Sequence, residues 1–299
     1  MKKNIYVLLS GGLGNQLFQY ATARALAERN GACLVLDRRS GFLRDRQYRR
    51  EYALESFPIS NLTASLPRQL QLWAFRAYCK FLSPKLTFKN TFFNRTYFVE
   101  IETLFYSELV LFPLEHEAWL IGYWQSAKYF NDCEEVLHVE LMPPMPLYRK
   151  ARDLSEIVQE TVDSVALGIR MYEESRNPSD HGLNGRLKSL DDINDAIKKL
   201  QIQKPNARFF VFCTKRFQFL EELTLPPDTI FVTSDEGFSD ASDSLWLLTR
   251  CKHHIFTNSS YYWWGAWLSH AVHKKEEQLI YAADNFINVD GLCDHWLRF

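Results

Sequence analysis

From residue 148 to residue 273 the sequence alternates between amphipathic helical patterns and short runs of β-branched and aromatic residues, and few folds satisfy that alternation. The periodicity predicts helices over 148–162, 190–202, 216–223, 243–251 and 261–273, and strands over 164–170, 208–213, 229–233 and 254–256, with a polar loop at 171–189. Short apolar strands separated by helices pair in parallel in a sheet covered on both faces, which makes this half Rossmann-like. Ligands of such sheets sit at the carboxyl ends of the strands. That directs attention to residues 168–174, 213–215, 234–236 and 257–260.

The first half begins in the same style. A strand is expected at 5–9, a helix at 16–30 and a second strand at 33–36 ending at Asp37, a β-α-β start. Helical periodicity returns at 66–82, through Leu66, Leu70, Trp73, Ala77 and Phe81, and at 126–139, on either side of a Phe-rich span at 88–105. Between the halves, Pro143, Pro144 and Pro146 fit neither the inside of a helix nor a central strand. The expected domains are therefore 1–145 and 146–299, both α/β. With 299 residues, 46% of them hydrophobic, each can bury a core of its own.

The formal net charge of −1 gives no reason to expect a nucleic-acid partner. Arg38, Arg39, Arg44, Arg46, Arg49 and Arg50 concentrate positive charge locally, as a solvated loop or as a rim for an anionic substrate or membrane surface. Six cysteines without a C-x-x-C pair read as reduced thiols of a cytosolic protein. Only five apolar residues follow Met1-Lys2-Lys3-Asn4, too few for a signal-peptide core, so a cytoplasmic location is expected. The Trp-rich piece at 261–268, interrupted by Gly265, reads as a core helix.

Between the first strand and the first helix runs Gly11-Gly12-Leu13-Gly14-Asn15-Gln16-Leu17-Phe18-Gln19-Tyr20-Ala21. A strand, a glycine turn and a helix N-terminus together present free N–H groups to an anion. Leu17 stands where a dinucleotide fingerprint needs its third glycine, so that reading fails. Asn15 and Gln16 suit hydroxyl recognition, and a phosphate or a sugar is the expected ligand.

This block resembles a distinctive motif of the α-1,2-fucosyltransferase family, glycosyltransferase family 11. Two others do so as well: Cys251-Lys252-His253-His254-Ile255-Phe256-Thr257-Asn258-Ser259-Ser260-Tyr261-Tyr262-Trp263-Trp264-Gly265-Ala266-Trp267-Leu268, and Gly122-Tyr123-Trp124-Gln125-Ser126-Ala127-Lys128-Tyr129-Phe130. The resemblance implies a GT-B-like fold of two Rossmann-like α/β domains with the nucleotide-sugar site in the cleft between them. It further implies a GDP-fucose donor bound as substrate, inversion at the anomeric carbon, and no metal or other cofactor. The implied acceptor is a glycan hydroxyl of polysaccharide or O-antigen type. A lipid-linked acceptor would bring the protein peripherally to the inner membrane face.

Without a metal, guanidinium, amide and hydroxyl donors must stabilise the departing diphosphate. Arg170 matches the first arginine of the family's His-x-Arg-Arg-x-Asp motif, whose histidine is here Gly168, whose second arginine is Met171 and whose acid falls at Glu173 or Glu174. The family's Phe-Ser-Asp-Asp run reads Phe212-Cys213-Thr214-Lys215, which exchanges carboxylates for Lys215. Ser234-Asp235-Glu236 is an alternative source of acids. Asn258, Ser259 and Ser260 would cap a helix and complete the nucleotide side, while Asn15 and Gln16 with the Gly12 and Gly14 backbone would hold sugar and phosphate. Glu173, Glu174 and Asp37 are the candidate bases, Glu173 first. Trp263, Trp264 and Trp267 read as core, and His253 and His254 as structural. The departures admit a related transferase using another nucleotide sugar, or a non-catalytic sugar-binding relative.

Overall fold

The computed structural model of the chain describes residues 3–43, 45–59, 62–82, 85–172, 185–274 and 276–299. Two units emerge, Met1–Glu140 with Asn288–Gly291, and Leu141–Ile287 with Leu292–Phe299.

The first unit contains β1 (Asn4–Leu8), α1 (Leu13–Arg29), β2 (Cys33–Asp37), β3 (Leu62–Thr63), α2 (Leu66–Phe81), β4 (Lys89–Phe92), β5 (Arg95–Val99), α3 (Ser107–Val110), β6 (Glu117–Ile121) and α4 (Glu134–Glu140). Its sheet runs β3-β2-β1-β6-β5-β4, parallel except for the β4–β5 hairpin. Ile5 pairs with both Leu34 and Ala118, so β1 is central and buried on both sides. One sheet face, through Tyr6, Leu8, Val35, Tyr97 and Trp119, packs against Leu72 and Phe75 of α2. Phe75 and Tyr97 stack there at 4.0 Å. Asp290 joins this unit by accepting hydrogen bonds from Lys128 Nζ (2.7 Å) and the Phe105 amide (3.2 Å).

Among the elements that differ from the sequence reading, two are instructive. The helix expected over 126–139 is two 3₁₀ turns, Ala127–Tyr129 and Asn131–Cys133, followed by α4. Ser126 Oγ caps the first turn, and Arg29 bonds the Tyr129 carbonyl at 2.6 Å and Asp132 at 2.5 Å, which removes that carbonyl from any helical ladder. The Phe-rich span folds as the β4–β5 hairpin. Its turn residues Phe93 and Asn94 have φ of 47° and 57°, the geometry of a type I′ turn without its usual glycine.

The second unit contains α5 (Arg149–Glu160), β7 (Ser164–Gly168), α6 (Leu190–Gln203), β8 (Arg208–Phe212), α7 (Gln218–Glu221), β9 (Ile230–Val232), α8 (Ala241–Arg250), β10 (His253–Phe256), α9 (Ser260–Val272), β11 (Ile280–Ala282) and β12 (Leu297–Arg298). Every pairing is parallel, in the order β12-β11-β10-β7-β8-β9. Counted from its own first strand, the unit reads 6-5-4-1-2-3, the doubly wound order with its switch point between β7 and β10. Three of its helices start on a side-chain cap, while α5 follows Tyr148 without one. Ser189 and Asp192 form a capping box on α6, Asp240 caps α8 and Ser259 caps α9. Trp263, Trp264, Trp267 and Trp296 form an aromatic core, with Trp263 and Trp267 stacked 6.1 Å apart.

Candidate active site

At the switch point of the second unit the chain leaves β7 through Ile169 and Arg170 and leaves β10 through Thr257 to Ser260. The two exits are tied together. The Thr257 amide donates to Gly168 O at 3.0 Å, and the Arg170 amide donates to Thr257 Oγ1 at 2.8 Å. The Arg170 guanidinium lies 4.7 Å above the Tyr172 ring, a cation–π contact, and the Tyr172 hydroxyl donates to Asn258 O at 3.0 Å. Tyr172 holds this position in the left-handed region, at φ 55°. Beside this pair, α9 begins at Ser260 with no acidic residue in its first turn, so the positive end of the helix is not neutralised from within. A half-buried guanidinium and the start of a long helix thus converge on one end of the sheet, an arrangement suited to an anion.

The space beside Gly168 is filled. A Cβ there would lie 2.5 Å from the Tyr262 ring, whose hydroxyl bridges Ile169 O (3.2 Å) and Phe212 O (3.0 Å) at the ends of β7 and β8. Only glycine admits that tyrosine. Tyr172 and Tyr262 are not singled out by the sequence reading; for Tyr262 the signal is the glycine standing in the place of the family's histidine.

The other predicted residues of this unit divide. Ser259 and Ser260 are at the helix start. Asn258 is a correction: it is 3% exposed, and its side chain donates to Asn285 O (3.0 Å) and accepts from the Ile287 amide (3.3 Å), so it holds a loop and presents nothing to a ligand. Lys215 is exposed just beyond β8, with its ammonium 5.2 Å above the Phe217 ring. Asp235 and Glu236 are engaged by Arg216, the first through the Arg216 amide at 2.7 Å and the second through the guanidinium at 3.4 Å. Glu173 and Glu174 lie outside the described residues.

In the first unit the glycine turn lies at the equivalent place, between the ends of β1 and β6. Gly11 has φ 75°, and a Cβ there would meet the Asn15 side chain at 2.7 Å. Helix α1 starts at Leu13 with Gly12 as its cap, earlier than expected, and this changes what three predicted residues can do. Gly14 is buried in the first turn. Gln16 is fully buried, and its amide donates to Gly11 O (2.9 Å) and Glu51 O (2.8 Å) and accepts from the Ala53 amide (2.9 Å). The Gln16 side chain is therefore engaged by backbone groups of its own unit. Asn15 is half-buried and accepts a hydrogen bond from Gln125 at 2.8 Å, and Gly12 is part-exposed.

Gln19 ties Ser10 to Gly122, and Glu100 accepts from the Tyr123 (2.6 Å) and Trp124 (3.1 Å) amides, with burial pushing its carboxyl pKa upward. Gln19, Glu100 and Tyr123 are further members of this rim that sequence reasoning missed, although Tyr123 and Gln125 sit in the block at 122–130. Asp37 is fully buried and accepts from the Arg39 (3.1 Å) and Ser40 (3.0 Å) amides. It is a turn residue, out of reach as a base.

His253 and His254 are buried in β10. Nδ1 of His253 accepts from the Leu279 amide (3.0 Å), so its Nε2–H faces Asp163 at 3.2 Å. His254 donates to Cys251 O (3.1 Å), and burial lowers its pKa to about 3. Among the described residues, no group of three or more His, Cys, Asp or Glu side chains is placed to hold a metal ion, and no helix is long and apolar enough to cross a membrane.

Known proteins resemble this chain at two levels. By sequence, an Escherichia coli alpha-1,2-colitosyltransferase is 30% identical over 268 residues, 87% of this chain and 86% of its own. The E. coli O-antigen biosynthesis glycosyltransferase WbnK is 26% identical over 286 residues, 89% and 90% of the two chains. By structure, the fucosyltransferase NodZ from Bradyrhizobium superposes with a TM-score of 0.52 at 17% identity, over 89% of this chain and 93% of that one. A mutant of Arabidopsis thaliana FUT1 in complex with GDP gives 0.53 at 10% identity, over 94% and 70%. These likenesses agree with the GT-B-like class of two α/β units, each with a largely parallel sheet. The family model for glycosyl transferase family 11 matches residues 4–274, and with it the glycine turn, the Arg170 strand end and the Trp-rich helix find one explanation: the chain is a glycosyltransferase and belongs to glycosyltransferase family 11.

Proposed function

We propose that this enzyme moves a deoxyhexose, with fucose the first choice, from a GDP-linked donor to a glycan hydroxyl, with inversion and without a metal ion. The observation that carries the reading is the convergence of Arg170 and the α9 N-terminus at the switch point of the doubly wound unit. In the reaction the acceptor oxygen attacks the anomeric carbon, the carbon–oxygen bond to the diphosphate breaks, and negative charge grows on the leaving phosphate. Arg170 and the amides beginning at Ser260 stabilise that charge, helped by the Ser259 hydroxyl and by Lys215 from the next strand end. The second unit forms the donor side and the first unit the acceptor side, where Asn15 and the Gly12 backbone meet sugar hydroxyls. Glu173 is the base for the acceptor proton. The acceptor is a polysaccharide or O-antigen type glycan, in keeping with the O-antigen role in the name of one relative.

A second reading concerns the donor sugar. Gly168, Met171 and Lys215 depart from the family motifs, and a 30% identical relative is named a colitosyltransferase, so the sugar carried on the nucleotide can be colitose in place of fucose. Donor hydrolysis with GDP-fucose, GDP-colitose, GDP-mannose and UDP-sugars, with and without EDTA, separates these. Metal-independent turnover of GDP-fucose is the expected result. Turnover of GDP-colitose alone selects the second reading, and turnover of UDP-sugars only removes both.

A further inference from the structure

The residues that give α2 its helical periodicity are not the ones that bury it. Gln69, Leu72 and Phe75 face the sheet. Leu66, Leu70, Trp73, Ala77 and Phe81 recur at four- and three-residue steps on the opposite side and lie in solvent, with Trp73 44% and Phe81 77% exposed. The stripe runs the length of the helix, about 24 Å at 1.5 Å per residue. Leu82, 71% exposed, follows it directly. Tyr78 touches Phe92 at 5.1 Å, and the next residue, Phe93 at the hairpin tip, is 75% exposed. Monomeric proteins seldom leave so long a row of large apolar side chains in water without a use for it.

Charge selects the occupant. Helix α2 carries Arg68, Arg76 and Lys80 and no Asp or Glu. Arg68 is paired with Glu117 at 2.7 Å, whereas Arg76 and Lys80 are exposed beside the stripe. A second copy packed on this stripe would bring like charges together with no acid on either helix to meet them. An anionic lipid surface accepts both features, since apolar side chains enter the headgroup boundary and cations stay at its edge. With three cations in 16 residues the helix lies on a bilayer and does not span it. We propose that α2, with the Phe93 hairpin tip, docks this chain on an anionic membrane surface, independently of which sugar the enzyme transfers.

The test is flotation of the full chain with vesicles of phosphatidylcholine alone or mixed with phosphatidylglycerol. Wild type is expected to float with the anionic vesicles and to be released by salt. Leu70→Ser/Trp73→Ser/Phe81→Ser, all at exposed positions, should reduce partitioning at least tenfold with an unchanged melting temperature. Arg76→Gln/Lys80→Gln should reduce it by about fivefold per charge. A blue shift of Trp73 fluorescence on binding, absent from Trp73→Phe, would place the stripe at the lipid. Three results overturn the proposal: no flotation of wild type, flotation untouched by the triple substitution, or a wild-type dimer that the triple substitution dissolves while vesicles bind neither protein.

Discussion

The end of β1 in the first unit and the end of β7 in the second are finished in opposite ways. In the first unit the turn after β1 is closed by its own amides: Gln16 clamps residues 51–53, and Gln19 clamps Ser10 and Gly122. In the second unit the exit from β7 keeps a guanidinium beside a helix start, and side chains such as Thr257 and Tyr262 hold the backbone. A glycine-rich turn is therefore the weaker pointer to an anion here. The strand end without a glycine loop places a cation beside a helix start, which is why the diphosphate is proposed there.

The sharpest way to break this contrast is Arg170→Ala. It should lower kcat/KM by about 10²–10³, as loss of a single charge-stabilising donor does, with the melting temperature unchanged. Asn15→Ala, from the other unit, should leave GDP affinity intact. Gln16→Leu should act the other way. It leaves Gly11 O, Glu51 O and the Ala53 amide without their buried partner, and should cost about 3 kcal/mol in urea unfolding while nucleotide binding persists in the remaining folded protein. A neutral Gln16→Leu would return that side chain to the list of ligand contacts.

Acid should tell the units apart as well. His254 stays neutral in the fold down to about pH 3, whereas the unfolded chain takes up a proton below about pH 6.5. Its contribution is present above the unfolded value and lost as pH falls from 6.5 toward 3, at about 1.4 kcal/mol per pH unit. Burial lowers the His253 pKa too, against the pull of Asp163. His254→Gln, which keeps a donor for Cys251 O, should flatten the acid limb of a stability–pH curve. The smallest effect is expected from Tyr172→Leu. Loss of the ring beneath Arg170 should weaken GDP binding about three- to tenfold, as measured by calorimetry.

Much of this was legible in the sequence because the second unit obeys local rules. Its central strands carry short apolar runs, three of its helices begin at Ser189, Asp240 and Ser259, and Arg170 stands just beyond a strand end. The first unit hides its logic in long-range contacts. Nothing near Gln16 announces the carbonyl of Glu51, and even in the second unit nothing near Asn258 announces Asn285. Those partners lie 35 and 27 residues away, and only the fold brings them close enough to use up side chains that read as ligand contacts. Helix α2 shows a related limit, since period 3.6 identifies a helix and not which of two apolar stripes is buried.

Calorimetric titration of GDP into wild type and Arg170→Ala, in the presence of EDTA, tests the central claim most directly. The account predicts metal-independent binding to wild type and a loss of at least a hundredfold in the variant, with both proteins melting alike. Equal affinity for the two proteins would contradict it and move the diphosphate away from the β7–β10 switch point.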